Sequence, residues 1–157
     1  MTYYDEIAEG YEELHKEEQM KKVELISKYL DAKPGELLLD VGCGTGLTTK
    51  PWKCKAIGLD PAIKLLGKAG EGMWVNAEAE HLPFKDNTFD WVISVTAIQN
   101  FHDLEKGLKE IKRVGKGKFI VSFLKSANMR YHIEKIIRRL FGVKEVIEED
   151  KDLIFVV

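Results

Sequence analysis

The spacing of hydrophobic residues changes character near residue 34. Before that point, apolar side chains recur at helical spacing in two stretches. They are Tyr3, Ile7, Tyr11 and Leu14, followed by Val23, Ile26 and Leu30. This spacing predicts a helix at the start of the chain and a second helical stretch from about Glu17 to Asp31, which Pro34 and Gly35 terminate.

After residue 35, short runs rich in β-branched and aliphatic residues alternate with helical or polar segments. The first five runs are Leu37–Val41, Ala56–Leu59, Met73–Asn76, Trp91–Val95 and Lys118–Phe123. Such alternation is typical of a parallel sheet wound with helices on both faces. A helix is predicted from about Asn128 to Phe141.

Two further runs, Val143–Ile147 and Leu153–Val157, are joined only by residues 148–152. A parallel crossover needs about a dozen residues or more, so these two strands must be antiparallel neighbours if they pair. The chain is therefore expected to form an α/β, doubly wound, seven-stranded sheet whose last strand is antiparallel.

Composition limits the classes of protein that remain. With 157 residues and 45% hydrophobic content, the chain fits one domain with a real core. Cys43 and Cys54 are too few for a disulfide framework or a Cys-rich zinc site, and the histidines are too scattered to predict a metal site. No apolar run approaches the roughly 20 residues that span a bilayer, so we expect no membrane association and a soluble protein of the cytoplasm.

Charge is strongly segregated along the chain, although the net charge is only −2. Residues 1–31 have nine acids and four bases, whereas the block Lys106–Lys144 has twelve bases and two acids. This block suits an anionic partner such as RNA, through Arg130, Lys135, Arg138 and Arg139. The favoured alternative is a solvated helix face in a charge-rich protein.

A glycine-rich turn follows the first predicted strand. Its sequence is Asp40-Val41-Gly42-Cys43-Gly44-Thr45-Gly46. Glycines here let the backbone turn sharply and approach a ligand at the carboxyl edge of the sheet. The dinucleotide fingerprint needs a glycine at position 47, where this chain has Leu47, so a nicotinamide or flavin enzyme is disfavoured but stays an alternative.

The second strand ends in Gly58-Leu59-Asp60-Pro61, which places a carboxylate beside the glycine turn. Asp60 suits either of two roles. It can accept hydrogen bonds from both ribose hydroxyls of an adenosine, or it can cap the following helix, for which Pro61 fits the first helical position.

Four ordered motifs resemble the class I S-adenosylmethionine-dependent methyltransferases, in the style of the ubiquinone and menaquinone methyltransferases. They are Tyr4-Asp5-x-Ile7-Ala8-x-x-Tyr11, the turn from Leu39 to Gly46, Gly58-Leu59-Asp60-Pro61, and Glu78-Ala79-Glu80-His81-Leu82-Pro83-Phe84 with Phe89-Asp90 after it. The resemblance covers nearly the whole chain. It implies a Rossmann-like fold, methyl transfer, and S-adenosylmethionine as cofactor with S-adenosylhomocysteine as product.

The resemblance also assigns residues to the cofactor. Asp40, Gly42, Cys43 and Gly44 would wrap its methionine end, and Asp60 with Pro61 would hold the ribose. Glu78 and Ala79 would meet the adenine, and the backbone around Ser94 and Thr96 would face the ammonium group. Residues 1–31 resemble a helical lid over a core at 36–157, with Tyr11 closing on the methionine; an aromatic stripe of this kind also suits simple core packing.

Two departures from the family pattern lie in the crossovers. Only eleven residues separate Gly46 from Gly58, with Pro51 and Trp52 between them, so the first crossover helix must be short or irregular. The segment from Pro61 to Met73 is also short. The cofactor geometry is therefore expected to differ locally.

The acceptor is less clear from the sequence, and no catalytic residue is assigned. Methyl transfer needs a general base only when the acceptor must lose a proton, and the candidates near it are Gln99, Asn100 and His102. No Asn/Asp-Pro-Pro-Tyr-like motif follows the fourth strand, which disfavours amide or exocyclic nitrogens. A small-molecule acceptor is slightly favoured over RNA or protein, and a need for an activating partner subunit stays open.

Overall fold

The computed structural model describes the backbone of residues 3–157 and the side chains of residues 12–157. The helices in this part are α1 (Tyr3–Ile26), α2 (Ile63–Leu66), α3 (Leu104–Val114) and α4 (Arg130–Leu140). The strands are β1 (Leu37–Val41), β2 (Lys55–Asp60), β3 (Met73–Asn76), β4 (Trp91–Ser94), β5 (Phe119–Leu124), β6 (Glu145–Glu148) and β7 (Asp152–Val156). Short 3-10 turns lie at Ala79–His81 and Ile98–Asn100.

All seven strands form one sheet in the order β3-β2-β1-β4-β5-β7-β6. The first five strands are parallel, and β7 runs antiparallel to both of its neighbours, β5 and β6. This arrangement confirms the predicted α/β, doubly wound sheet with a reversed last strand. The buried Glu149 carboxylate closes the final hairpin by accepting the amides of Lys151 at 2.9 Å and Asp152 at 3.1 Å.

The two faces of the sheet bury different sets of side chains because successive strand residues point to opposite sides. One face, which includes Leu39, Val92 and Val121, packs against the apolar stripes of α3 and α4. The other face, which includes Leu38 and Ile93, packs against Ile26 and Leu30. The sheet is therefore buried on both sides, and its strand ends remain for a site.

The prediction of two separate N-terminal helical stretches, the second reaching Asp31, was wrong. The structure has one helix, α1, which ends at Ile26. The Ser27 hydroxyl donates to the Glu24 carbonyl at 2.6 Å, the acceptor that the Lys28 amide would use in a continuing helix. The Lys28 amide instead bonds to the Leu25 carbonyl, three residues back, and the helix gives way to a turn.

The first crossover is irregular, as predicted from its length. Residues 42–54 form turns without helix, and the second crossover has only the four-residue α2. The Trp74 side chain of β3 fills the space beside Gly46 of the glycine-rich turn and Gly58 of β2. A Cβ on Gly58 would lie 2.5 Å from the Trp74 ring, and one on Gly46 would lie equally close.

Within the described residues, no helix is long and apolar enough to cross a membrane.

Candidate functional site

The glycine turn brings the end of β1 close to the segment that follows β4. Gly42 has a φ of +79° and Gly44 a φ of +55°, conformations that favour glycine. A Cβ on Gly42 would lie 2.5 Å from the Cβ of Ala97. The turn is fixed to β2 because the amides of Gly42 and Cys43 both donate to the Leu59 carbonyl, at 2.7 and 3.0 Å.

Asp40 lies fully buried beneath this turn. Its Oδ2 accepts hydrogen bonds from the hydroxyls of Thr48 and Thr49, both at 2.7 Å, whereas Oδ1 has no partner among the described residues. Burial raises the pKa of the Asp40 carboxyl to about 6, the threonine hydroxyls lower it, and nearby Asp60 adds to the rise. Asp40 therefore presents an unsatisfied oxygen below the glycine turn.

Asp60 connects the glycine turn to the start of α2. Its Oδ2 accepts the Gly44 amide and its Oδ1 accepts the Ala62 amide, both at 2.8 Å. The capping alternative was wrong, because α2 begins at Ile63, its N-cap is Ala62 without a side-chain cap, and Pro61 precedes the helix. Each carboxylate oxygen has a further lone pair, so Asp60 retains capacity to accept two hydroxyl donors.

Thr96 follows β4 in a backbone conformation rare for a β-branched residue, with a φ of +54°. Its amide donates to the Ser122 hydroxyl at 2.9 Å, and its own hydroxyl donates to Asp152 Oδ2 at 2.6 Å. Lys22 of α1 donates to the Thr96 hydroxyl at 2.9 Å. Ser94, by contrast, is buried and donates to the Val41 carbonyl at 2.7 Å, which ties β4 to β1.

Sequence reasoning missed the polar group around Thr96, which we call the Thr96 cluster and which comprises Lys22, Thr96, Ser122 and Asp152. Besides the bonds to Thr96, Ser122 donates to Asp152 Oδ2 at 2.8 Å, and Lys22 pairs with Asp152 Oδ1 at 3.2 Å. These residues come from four separate elements. The one available signal was a lysine on the hydrophobic stripe side of a helix, beside Val23 and Ile26.

A cavity of about 370 Å³, which we call the central cavity, lies above the glycine turn. Of the predicted site residues, it is lined by Gly42, Cys43, Gly44, Asp60, Pro61 and Thr96. His15 and Gln19 of α1 border the same space. The structure thus brings together six predicted residues from three separate parts of the chain. Asp40 and Ser94 lie beneath the cavity and do not line it.

A second, small cavity of about 60 Å³ adjoins the central one and is lined by Glu78 and Ala79 together with Gly42, Pro61 and Asn100. Ala79 is buried, while the Glu78 side chain is exposed. The Tyr11 side chain, predicted to close the lid, lies outside the described side chains. The roles assigned to these residues stay predictions.

Cys43 is buried, and burial followed by the nearby Asp40 and Asp60 charges raises the pKa of its thiol. A thiol held in its neutral form is a poor nucleophile. Cys43 therefore forms part of the wall of the central cavity and does not act as a nucleophile.

The acceptor-side candidates separate in the structure. Asn100 lines the central and small cavities, Gln99 lines a third cavity between α3 and α4, and His102 lines both the third and the small cavity. Gln99 donates from Nε2 to the Thr96 carbonyl at 3.0 Å.

The basic block Lys106–Lys144 does not form one continuous cationic face. Many of its cations pair with carboxylates: Arg113 with Glu110 and Asp86, Lys116 with Asp90, Lys109 and Arg139 with Glu105, Arg138 with Glu134, and Lys125 with Glu148. Arg113 also donates to the carbonyls of Leu82 and Phe84, which fixes the preceding loop to α3. Part of the block therefore serves the fold.

Known proteins are similar to this chain in sequence and in fold. A family model described as a methyltransferase domain matches residues 39–121. An uncharacterised protein of Methanocaldococcus jannaschii is 34% identical over 97% of this chain and 62% of its own length. A demethylmenaquinone methyltransferase of Corynebacterium glutamicum is 37% identical over 55% of this chain and 40% of its own length. The chain thus spans less than two thirds of both relatives.

Two solved structures show the same fold. A Pyrococcus horikoshii protein superimposes with a TM-score of 0.74 at 21% identity, covering 88% of this chain and 89% of its own. A Haloferax volcanii putative methyltransferase, solved in complex with the methyltransferase activator Trm112, gives a TM-score of 0.70 at 18% identity, covering 98% and 93%. Because the family match includes the glycine turn, Asp60 and the strands that form the site, the chain belongs to the methyltransferase-domain family, within the class I S-adenosylmethionine-dependent methyltransferases.

Proposed function

We propose that the chain binds S-adenosylmethionine in the central cavity and transfers its methyl group to an acceptor. The observation that supports this most is the convergence of the glycine turn, Asp60 and the Thr96 backbone on one cavity at the carboxyl edge of the sheet. Open α/β sheets bind ligands at this edge, where the strand order reverses between β1 and β4.

The residues present fit the cofactor on two counts. Asp40 has a buried, unpartnered carboxylate oxygen under the turn, which suits a nearby cation such as the cofactor's ammonium. Any side chain at Gly42 would collide with Ala97, so glycine is what lets the turn lie against the segment after β4 and form the cavity wall. In this assignment Asp60 accepts the ribose hydroxyls, and Glu78 with Ala79 meets the adenine at the small cavity.

The chemistry asks little of acid–base residues. When bound, the cofactor would supply a sulfonium methyl carbon to the acceptor's lone pair, and the carbon–sulfur bonding pair would stay with sulfur to give S-adenosylhomocysteine. Positioning alone contributes roughly 7–11 kcal/mol to such reactions. The residues of this chain then act by orienting the cofactor and by excluding water, with residues 1–31 as a lid over the core at 36–157.

For the acceptor, a small molecule is favoured over RNA or protein, because the concave space beside the central cavity is of small-molecule size and half of the cations of the basic block are ion-paired. The second candidate function is a methyltransferase that needs an activating partner subunit. The Haloferax protein, which aligns with 98% of this chain, was solved in complex with an activator.

Isothermal titration of the purified chain with S-adenosylhomocysteine and with NAD tests the cofactor assignment. We expect one S-adenosylhomocysteine per chain with a micromolar or tighter Kd, and no saturable NAD binding. Binding of NAD alone would overturn the proposal. Transfer of labelled methyl groups into fractionated cell extract then separates small-molecule, RNA and protein acceptors. Comparison of the same assay with and without added extract protein reveals any dependence on a partner.

A further inference from the structure

A cavity of about 860 Å³ lies between the segment that follows β4 and helix α4. Residues 98–105 form one wall, and residues 127–139 form the other. Its volume lies within the range of roughly 300–1,000 Å³ that small-molecule sites occupy. We call it the α3–α4 cavity.

The α3–α4 cavity adjoins the proposed cofactor site at Phe101 and His102. Phe101 lines this cavity, the central cavity and the small cavity alike. His102 lines both the α3–α4 cavity and the small cavity. A molecule in the α3–α4 cavity would therefore lie next to the proposed cofactor site.

The deep part of the cavity is apolar. Ile98, Ile133 and Ile136 line it; Ile98 is fully buried, and Ile133 and Ile136 are nearly so. Met129 lies with 57% of its surface exposed, among the other lining residues. Such a wall favours a ligand with an aromatic or aliphatic body, because that body gains about 25 cal/mol for each Å² of apolar surface removed from water.

The polar groups of the cavity favour an anion. His132, Lys135 and Arg139 project from the same face of α4, since they are three and four residues apart. Arg139 is already paired with Glu105, and Lys109 approaches the same carboxylate at 3.5 Å. Among residues 12–157, no carboxylate lies within ion-pairing distance of Lys135.

The two acidic residues that line the cavity already have hydrogen-bond or ion-pair partners. Asp103 caps α3 by accepting the Lys106 amide at 3.1 Å, and Glu105 is engaged by its two cations. The pairing with Arg139 lowers the pKa of Glu105, which keeps that carboxylate ionised and bound to its partner. Of the lysine and arginine side chains that line the cavity, Lys135 is then the one without a carboxylate partner among the described residues, so it is available to an anionic ligand.

We propose that the α3–α4 cavity is the methyl-acceptor site and that it takes an anionic, largely apolar small molecule of the aromatic carboxylate type. This assignment rests on the proposed function. Lys135 recognises the acidic group and the isoleucine wall receives the apolar body.

A matched pair of fluorescent probes tests this specificity. 8-Anilinonaphthalene-1-sulfonate and N-phenyl-1-naphthylamine share one ring system, and only the first carries an anion. With saturating S-adenosylhomocysteine filling the central cavity, we expect one sulfonate probe to bind per chain, at least tenfold more tightly than the neutral probe. Lys135→Glu should weaken the sulfonate probe at least tenfold and Lys135→Gln by a smaller factor, and both should leave the neutral probe within twofold.

Lys144→Glu is the matched control, because Lys144 is an exposed lysine of the basic block outside the cavity. It should leave both probes within twofold. Equal affinity for the two probes, or equal effects of Lys135→Glu and Lys144→Glu, would overturn the acceptor-site proposal while leaving cofactor binding intact. Failure of S-adenosylhomocysteine to bind in direct titration would instead overturn the proposed function, and the acceptor assignment with it.

Labelled-methyl transfer completes the test. Aromatic carboxylates should accept methyl groups at least tenfold faster than the matching primary amides, and Lys135→Glu should remove that preference. Methylation of amides at the same rate as carboxylates would contradict recognition of an acidic group.

Discussion

Lys22 Nζ lies 3.2 Å from Asp152 Oδ1, and the two side chains are only 2% and 0% exposed. Lys22 belongs to the first helix and Asp152 begins the last strand, so the pair joins segments 130 residues apart in sequence. Both also bond to the Thr96 hydroxyl at the edge of the central cavity. The N-terminal helix is thereby attached to the proposed cofactor site through a buried charge.

Lys22→Met is expected to destabilise the protein by about 3–5 kcal/mol, because the buried Asp152 charge would lose its partner. Lys22→Met combined with Asp152→Asn should recover part of this loss, since asparagine still accepts from Thr96 and Ser122 without a charge. Urea unfolding measures both. The control is Lys21→Met, an exposed neighbour; a Lys22→Met effect no larger than the control's would contradict the role of the pair.

Asp40 gives the stability a pH dependence of defined sign. Its folded-state pKa is raised to about 6 from an ordinary 3.8, so between these values the folded state holds a proton that the unfolded state has lost. The contribution of Asp40 to stability is therefore full below about pH 4 and is lost as pH rises through 6, a change on the order of 3 kcal/mol.

Asp40→Asn should remove this part of the slope when the free energy of unfolding is measured from pH 4 to pH 7. An unchanged slope in the variant would mean that Asp40 is ionised throughout the range. With S-adenosylhomocysteine bound, the wild-type slope should also flatten, because a nearby ammonium favours the carboxylate.

Gly42→Ala should destabilise the chain by at least about 2 kcal/mol and abolish measurable S-adenosylhomocysteine binding. The added methyl would lie 2.5 Å from the Ala97 Cβ, in a backbone conformation with positive φ. Gly35→Ala is the matched control, since no atom lies within 4 Å of a Cβ at that position. Thermal unfolding and titration calorimetry check the two variants; equal behaviour would place the close approach of the turn in doubt.

Asp60→Ala should weaken S-adenosylhomocysteine binding by about 100-fold or more, since two charge-assisted hydrogen bonds would be lost and the Gly44 amide would lose its acceptor. Asp60→Asn retains one acceptor oxygen and should cost about tenfold. Asp150→Asn, at an exposed aspartate of the last hairpin, should have no effect. Titration calorimetry gives the three affinities, and an Asp60→Ala affinity near wild type would leave Asp60 with only its bonds to the Gly44 and Ala62 amides.

Much of the fold followed from local patterns. The strands were predicted to within one or two residues because each is a short apolar run bounded by polar or glycine-rich segments, as in Leu37–Val41. The reversed last strand followed from the five residues that join it to its neighbour, too few for a crossover. The glycine turn and Asp60 lie at strand ends, where the topology itself brings them together.

Other features depend on contacts that no local pattern encodes. The end of α1 at Ile26 depends on one side-chain hydrogen bond from Ser27, which competes with the helix after an otherwise suitable apolar stripe. Lys22 reads as a surface lysine until Asp152 is brought beside it by the strand order. Oδ1 of Asp40 is unpartnered because the hydroxyls of Thr48 and Thr49 both donate to Oδ2, and no local sequence pattern encodes that geometry.

Trp74 packs its indole against Gly46 and Gly58. Its Nε1 donates to the Gly70 carbonyl at 2.9 Å, and Lys50 lies 5.9 Å from the ring centroid. The emission of an indole responds to the atoms and charges around it. Trp74 is thus a natural optical probe against the glycine turn, through which ligand-induced changes of the turn can be followed in solution without any label.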